Sequence, residues 1–391
     1  MDFEFTPEQL EFVKDVEAFL DEHDDPEIFD VTRENMAQIV DTPRRREFMA
    51  ELSKKGWLGI TWPEEYGGQD GDGVYEYLLN EALAARGGPQ IGKGVGIIGK
   101  TLITHGSQKL KDEFLPQILN AEIEFAVGYS EPNAGSDAAS MQLKATKDGD
   151  GWRLNGQKTW TTSAHFADWY WVGARTDPEA PKHHGISLFM VRLDHPGITV
   201  KAIWTMGDER TNEVYFDEAR TSADLVLGDV NDGWKVAMAT LGFERGTAFL
   251  SQQLAFQREL AEIIGIAQDN GSSREATIRQ ELADSYIGVQ IMKFNGMRML
   301  TDLVKRGVLG PSSSIGKLFW SNWHRTLGER AMDVLGTDGL LVADEGAGRY
   351  ELDELHQIFM TSRAETIYAG ASEIQRNIIG ERVLGLPREP R

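Results

Sequence analysis

Two hydroxyl-bearing, glycine-broken stretches and one carboxylate on a helical pattern are the residues whose types and spacing can do chemistry. The first stretch is Tyr129-Ser130-Glu131-Pro132-Asn133-Ala134-Gly135-Ser136-Asp137, which follows an apolar strand pattern at Phe125 to Val127. Pro132 and Gly135 break any regular element, and the small residues let a ligand approach the backbone. Its hydroxyls at Ser130 and Ser136 can bond ring nitrogens and oxygens or phosphate oxygens. The second stretch is Asn155-Gly156-Gln157-Lys158-Thr159-Trp160-Thr161-Thr162-Ser163. Its Asn-Gly pair reads as a hairpin, with Trp160 and Thr162 on one face of the strand that follows. The carboxylate is Glu244, followed by Arg245, at helical spacing from Ala237 and Leu241. Two readings of that pair stand on the residues alone: a solvated Glu-Arg shoulder, or a carboxylate set into an apolar stripe, which is costly and needs a reason.

The elements that must position these residues follow from patterning. Thr6-Pro7-Glu8-Gln9 starts a helix in which Leu10, Val13, Val16, Phe19 and Leu20 repeat at three and four, and Arg44 to Lys55 is a second amphipathic piece. Residues 1–124 read as a helical domain, with an ordered turn at Trp62-Pro63-Glu64-Glu65-Tyr66-Gly67-Gly68. Residues 125–231 change to short runs bounded by turns, at Leu143 to Thr146, Gly151 to Leu154, Trp169 to Ala174, Gly185 to Arg192 and Gly197 to Ile203, which predict an antiparallel barrel or sandwich. Trp169, Tyr170 and Trp171 read as core. From 232 to 391 helical spacing returns, first as one long helix capped by Asp232 and ending at Asn270-Gly271, then at Ser285 to Val304 and Ser314 to Leu335. The fold class is α+β and multidomain: helices, a middle antiparallel β barrel or sandwich, and a C-terminal helical bundle.

Composition narrows the function. The 391 residues exceed one core, and 41% of them are hydrophobic. A mean hydropathy of -0.37 and the lack of a long apolar run exclude a membrane span. The N-terminus carries no signal or transit pattern, so a cytoplasmic enzyme is expected. A net charge of -22 disfavours nucleic acid. The chain has no cysteine, which removes thiolate catalysis and cysteine zinc sites, and the spacing of His165, His183, His184 and His195 proposes no metal. Gly94-Val95-Gly96-Ile97-Ile98-Gly99-Lys100-Thr101 fits both the P-loop and the dinucleotide glycine pattern letter for letter. It lacks the preceding strand that either site requires, so a close helix crossing is expected instead.

The two stretches, with Ile367-Tyr368-Ala369-Gly370-Ala371-Ser372-Glu373-Ile374-Gln375-Arg376 near the C-terminus, resemble the acyl-CoA dehydrogenase family over almost the whole chain. The resemblance implies FAD as cofactor, an acyl-CoA substrate, an electron-transfer flavoprotein as electron acceptor and an oligomer, homo- or heterotetrameric. It assigns Tyr129, Ser130, Gly135, Ser136, Trp160, Thr161, Thr162, Gly336, Ala371 and Glu373 to the flavin. Ser136, Arg245, Tyr368 and Gly370 fall to the substrate, and the main-chain N–H of Ala369 to its thioester oxygen. Most members carry the catalytic glutamate immediately after the tyrosine, where this chain has Ala369; the isovaleryl and long-chain branches carry it in a helical Glu-Arg pair, which Glu244-Arg245 matches. By resemblance Glu244 is then the base. Three departures stand out. Residues 257–280 lack the Arg-x-x-Phe-Gly element that reaches a neighbour's flavin pyrophosphate, leaving Arg274 and Arg279. The Gln-x-x-Gly-Gly-x-Gly element appears as Asp333-Val334-Leu335-Gly336-Thr337-Asp338-Gly339, and Ser130 stands where threonine is common. They point to heteromeric relatives in which a partner completes the site. An acyl-CoA oxidase and a non-catalytic subunit are the alternative readings.

Overall fold

Thr6 starts the first helix as its residue type predicts: its hydroxyl accepts from Gln9 N–H while the Gln9 side chain returns the bond to Thr6 N–H. The computed structural model describes residues 4–31, 39–244, 252–306, 310–341 and 352–388, which form two units. The first holds the described residues of 5–203 and 210–248, the second those of 1–4, 204–209 and 249–391.

In the first unit the leading helices are α1 (Pro7–Glu22), α2 (Pro43–Lys54), α3 (Gly73–Arg86), α4 (Lys100–His105) and α5 (Gln108–Leu119). They lead into a sheet of β1 (Phe125–Gly128), β2 (Lys144–Asp148), β3 (Gly151–Lys158), β4 (Trp169–Arg175), β5 (Ile186–Arg192), β6 (Ile198–Trp204), β7 (Arg210–Ser222) and β8 (Val226–Leu227). The strand order is β6-β7-β3-β2-β4-β5-β8, with β1 paired to β4 in parallel. The β2–β3, β3–β7, β4–β5 and β5–β8 ladders are antiparallel. Helix α6 (Gly233–Glu244) closes the unit.

Alternation along β4 and β5 explains why the middle of the sheet is apolar on both faces. Tyr170, Val172, Phe189 and Val191 enter one cluster with Trp152 and Val214. Trp171, Leu188 and Met190 point the other way and pack with Trp62 from the turn before α3, Phe114 of α5 and Val236 of α6. Each large side chain so buried contributes about 1.5–3 kcal/mol.

The glycine-rich run at Gly94–Gly99 forms a turn of π-helix before α4, and among the described residues no strand precedes it. A Cβ on Gly99 would meet the Trp62 ring at 2.0 Å, and one on Gly94 would meet Ile118 at 3.3 Å. Two of the three glycines therefore admit neighbours, as expected for a close crossing, and no phosphate cradle is built.

The hairpin expected at Asn155-Gly156 and the strand expected to carry Trp160 and Thr162 are corrected. Asn155-Gly156 does not turn a hairpin: it lies inside β3, where the β3–β7 register shifts between Leu154 and Gly156 and Gly156 takes φ +138°. The turn is made earlier, between β2 and β3, where Gly149 has φ +60°. The glycine that signals a hairpin serves equally well for a bulge. As a result β3 ends at Lys158, and Trp160-Thr161-Thr162 form a corner outside any strand. The long helix expected from Asp232 to Asn270 is described as α6 and, separately, α7 (Gln252–Asp269), with residues 245–251 outside the described residues.

The second unit continues with α8 (Ala276–Arg306), α9 (Ser313–Leu335), α10 (Glu354–Glu365) and α11 (Ser372–Ile378). Leu327, Ala331 and Val334 of α9 and Leu355 and Ile358 of α10 are buried.

Candidate active site

In the first unit the Tyr129–Asp137 loop leaves the end of β1, and the Trp160 corner leaves the end of β3. A buried charge pair joins them. Lys158 Nζ lies 2.8 Å from Glu131 Oε1, and the lysine is wholly buried. Glu131 also accepts from the N–H groups of Gln142 at 2.6 Å and Leu143 at 2.8 Å, while Lys158 donates to the Tyr129 carbonyl at 3.2 Å. Thr159 N–H bonds the Ser130 carbonyl at 3.0 Å, completing the seam. Burial pulls the Lys158 ammonium down to about 8, against the opposing pull of Glu131.

The candidate ligand-facing groups sit along this seam. Trp160 has φ +61° and is 61% exposed, an unusual state for a large indole. Ser130 and Thr162 are half-buried, and Gly135 and Ser136 are exposed. Thr161 is turned inward: its hydroxyl is 2.7 Å from Tyr170 OH, and its N–H and carbonyl both bond Asn212. Tyr129 OH accepts from Trp171 Nε1 at 3.0 Å, which fixes its ring against β4. Asp137 pairs with Lys182 and takes the Ser140 hydroxyl at 2.7 Å.

In the second unit Tyr368-Ala369-Gly370 form the turn between α10 and α11. Ala369 has φ +50° and Gly370 φ +92°. Buried Gln375 donates to the carbonyls of Ala369 at 3.0 Å and Gly370 at 3.2 Å, and Ser372 N–H bonds Thr366 O at 3.0 Å. The Tyr368 hydroxyl is buried, and burial with the nearby Glu365 and Glu209 carboxylates pushes its pKa well above the usual phenol value. Ala371 precedes α11, and Glu373 is exposed within reach of Arg376. Gly336 ends α9 at φ +61°. Glu244 is the last residue of α6; Arg245 lies outside the described residues.

Sequence reading did not single out the residues that hold these groups in place. Lys158, Glu131, His324 and Glu365 are buried polar side chains whose partners are distant in sequence, while buried Gln375 reaches back to the turn just before its own helix. The available signal was a lysine and a glutamate within the two hydroxyl-rich blocks themselves.

Comparison with known proteins fixes the family. Models of the acyl-CoA dehydrogenase N-terminal, middle and C-terminal domains match residues 6–122, 126–219 and 231–384. The Mycobacterium tuberculosis acyl-CoA dehydrogenase IpdE1 is 42% identical over 349 residues, covering 88% of this chain and 89% of its own. This chain belongs to the acyl-CoA dehydrogenase family. The Mycolicibacterium smegmatis IpdE1 is 41% identical over 358 residues, again 88% and 89% of the two chains. Among solved structures, the acyl-CoA dehydrogenase titled Tcur3481-Tcur3483 steroid ACAD matches with a TM-score of 0.85 and 30% identity over the whole of both chains. The ChsE4-ChsE5 complex from Mycobacterium tuberculosis matches at 0.80 and 28%, also over the whole of both. Acyl-CoA dehydrogenases are FAD-dependent flavoproteins, and this one is an oxidoreductase of that family. Its donor set fits the cofactor: an exposed indole face, the hydroxyls of Ser130, Thr162 and Ser136, and open space at Gly135, where a Cβ would meet nothing within 4 Å. No described helix is long and apolar enough to cross a membrane.

Proposed function

We propose that the chain desaturates an acyl-CoA thioester between its α and β carbons to the trans-2-enoyl-CoA, holds FAD for that purpose, and passes the electrons to an electron-transfer flavoprotein. One observation carries the reading: the loop at 129–137 and the corner at 160–162 are pinned together by the buried Lys158–Glu131 pair, with the Trp160 indole left exposed beside the hydroxyls. In this proposal Trp160, Ser130, Gly135 and Thr162 hold the flavin, Thr161 supports them from beneath, and Tyr129 braces the loop. Ala371, Glu373 and Gly336 add contacts to the cofactor.

Glu244 takes the α proton. A carboxylate in an apolar, water-excluded pocket gains basicity, which suits that task. The N–H of Ala369 donates to the thioester oxygen as charge develops there. Alanine at 369 retains this donor without placing a second carboxylate beside it. Ser136, Arg245, Tyr368 and Gly370 bind the substrate. The chemistry supplied by bound FAD is acceptance of the β hydride.

A ring-bearing acyl group is the substrate class we favour, and a heteromeric assembly the form. Support comes from two similar proteins, the Tcur3481-Tcur3483 steroid ACAD and the ChsE4-ChsE5 complex, and from the departures at 257–280 and 333–339. The domains we assign are 1–124, 125–231 and 232–391. The test is the visible spectrum of the purified chain, alone and co-expressed with a candidate partner, during anaerobic addition of straight, branched and ring-bearing acyl-CoAs. Bleaching by ring-bearing members supports the reading. A flavin that no member bleaches refutes the substrate class, and rapid reoxidation by oxygen rather than by the flavoprotein points to an oxidase. Glu244→Gln is expected to retain FAD and lose bleaching; near-normal turnover in that variant places the base elsewhere.

A further inference from the structure

Four buried polar residues of the second unit, Lys317, His324, Glu365 and Gln375, have no part in the assignments above, yet all act on one turn. Glu365 is the last residue of α10. Its main-chain carbonyl accepts from Lys317 Nζ at 2.7 Å, and its carboxylate lies 2.6 Å from His324 Nδ1. The other imidazole nitrogen, Nε2, is 2.7 Å from Glu259 on α7. An imidazole that bonds carboxylate oxygens from both nitrogens donates twice, which requires the imidazolium form. Burial opposes that charge, but Glu365 and Glu259 outweigh it and hold the proton up to about 10. The Phe256 ring, centred 4.3 Å away, closes the remaining side.

Just beyond Glu365 the chain leaves the helix. Ile367 and Tyr368 N–H groups both bond Ala364 O, at 2.9 and 3.0 Å, and Ala369 then takes its left-handed conformation. Lys317 and His324 are two turns apart on α9, so one rigid helix face grips the end of α10 at two points. Gln375 grips the far side of the same turn from α11.

We propose that His324 is a positioning residue: held by Glu259 of α7 on one side of its ring, it tethers the Glu365 carboxylate on the other, fixes how α10 delivers the Tyr368–Ala369 turn, and so aims the Ala369 N–H. The catalytic consequence rests on the reading that this N–H receives the thioester oxygen.

The test compares the FAD-loaded wild type with His324→Gln and Glu365→Gln, in complex with the partner subunit if flavin retention needs one. Amide exchange is followed across the chain. Loss of a charge-assisted buried bond is expected to speed exchange at residues 366–371 by roughly tenfold or more, with β4 and β5 unchanged. The flavin absorbance shift induced by an unreactive enoyl-CoA analogue is expected to shrink, and kcat to fall while KM stays within about twofold. Uniformly faster exchange throughout the chain, or exchange and analogue-induced shift equal to wild type in both variants, would overturn the proposal. If His324→Gln does not fold, the isosteric Glu365→Gln decides. Should wild type bleach normally and the variants match it, the positioning role fails while the dehydrogenase reading stands. A turn loosened in the variants of a protein that no acyl-CoA reduces supports the clamp and removes the thioester assignment.

Discussion

Trp160 in the first unit and Ala369 in the second are both non-glycine residues in the left-handed region, a conformation that costs about 1–2 kcal/mol. Each stands a few residues after one member of a buried ion pair: Trp160 after Lys158, which meets Glu131, and Ala369 after Glu365, which meets His324, itself also held by Glu259. The two cations are treated in opposite ways. Lys158 has one carboxylate, burial wins, and its proton is loosened to about 8. With two carboxylates, His324 overcomes burial, and its proton is held to about 10. Burial, with the nearby Arg175, outweighs the one carboxylate at Lys158 and is outweighed by the two at His324, so the two places respond to alkali in opposite senses.

Removing the lysine breaks the comparison most severely. Lys158→Met leaves Glu131 buried without its counter-ion, and is expected to cost about 3–5 kcal/mol in denaturant unfolding, with loss of bound FAD. The double variant with Glu131→Gln is expected to recover part of that stability. Full stability in the single variant would show that Glu131 takes up a proton instead.

A smaller effect separates the two signs. His324, raised from 6.5, contributes stability in full below pH 6.5 and loses it as pH rises through about 10. Lys158, lowered from 10.5, works the other way: its penalty is full below pH 8 and is relieved as pH climbs from about 8 to 10.5. Unfolding free energies measured at pH 6, 8 and 10 should show His324→Gln losing the alkaline decline, a difference on the order of a few kcal/mol at pH 6 that closes by pH 10. Curves for variant and wild type that run parallel would mean the folded imidazole carries no charge.

Ala369→Gly is the mildest change. Relief of the left-handed strain, about 1 kcal/mol, is offset by the greater freedom glycine gives the unfolded chain. The expected shift in unfolding free energy is therefore within about 1 kcal/mol. A loss of more than about 2 kcal/mol would show that the Ala369 methyl is itself packed and that the strain is not the main cost.

The sequence showed some of this and hid the rest for physical reasons. The apolar runs at 143–146, 169–174, 185–192 and 197–203 fall within or overlap strands: β4 and β5, buried on both faces, read as continuous apolar runs, while β6 at the sheet edge partly alternates. Strand β7 escaped notice: Asp217, Glu218 and Arg220 interrupt its pattern, and Glu218 takes φ +53°. Asn155-Gly156 misled because a glycine marks a backbone need without saying whether a turn or a bulge meets it. The hydroxyl-rich blocks were legible as site material from their residue types. Their supports were not: Lys158 and Glu131 are separated by a whole hairpin, and His324 by a loop and a helix from Glu365, so only the folded chain pairs them.

The parallel pairing of β1 with β4 carries a consequence for the order in which the protein is made. Phe125 to Gly128 find their partners only at Trp169 to Val172, after the β2–β3 hairpin has been synthesised and folded back. Parallel, non-local pairings of this kind form late. During synthesis the Tyr129 loop therefore leaves the ribosome well before the neighbours that shape it, and it ripens only when the downstream strands arrive. Glu131 likewise waits for Lys158, so the seam between the two hydroxyl-rich blocks closes only after the second has been made.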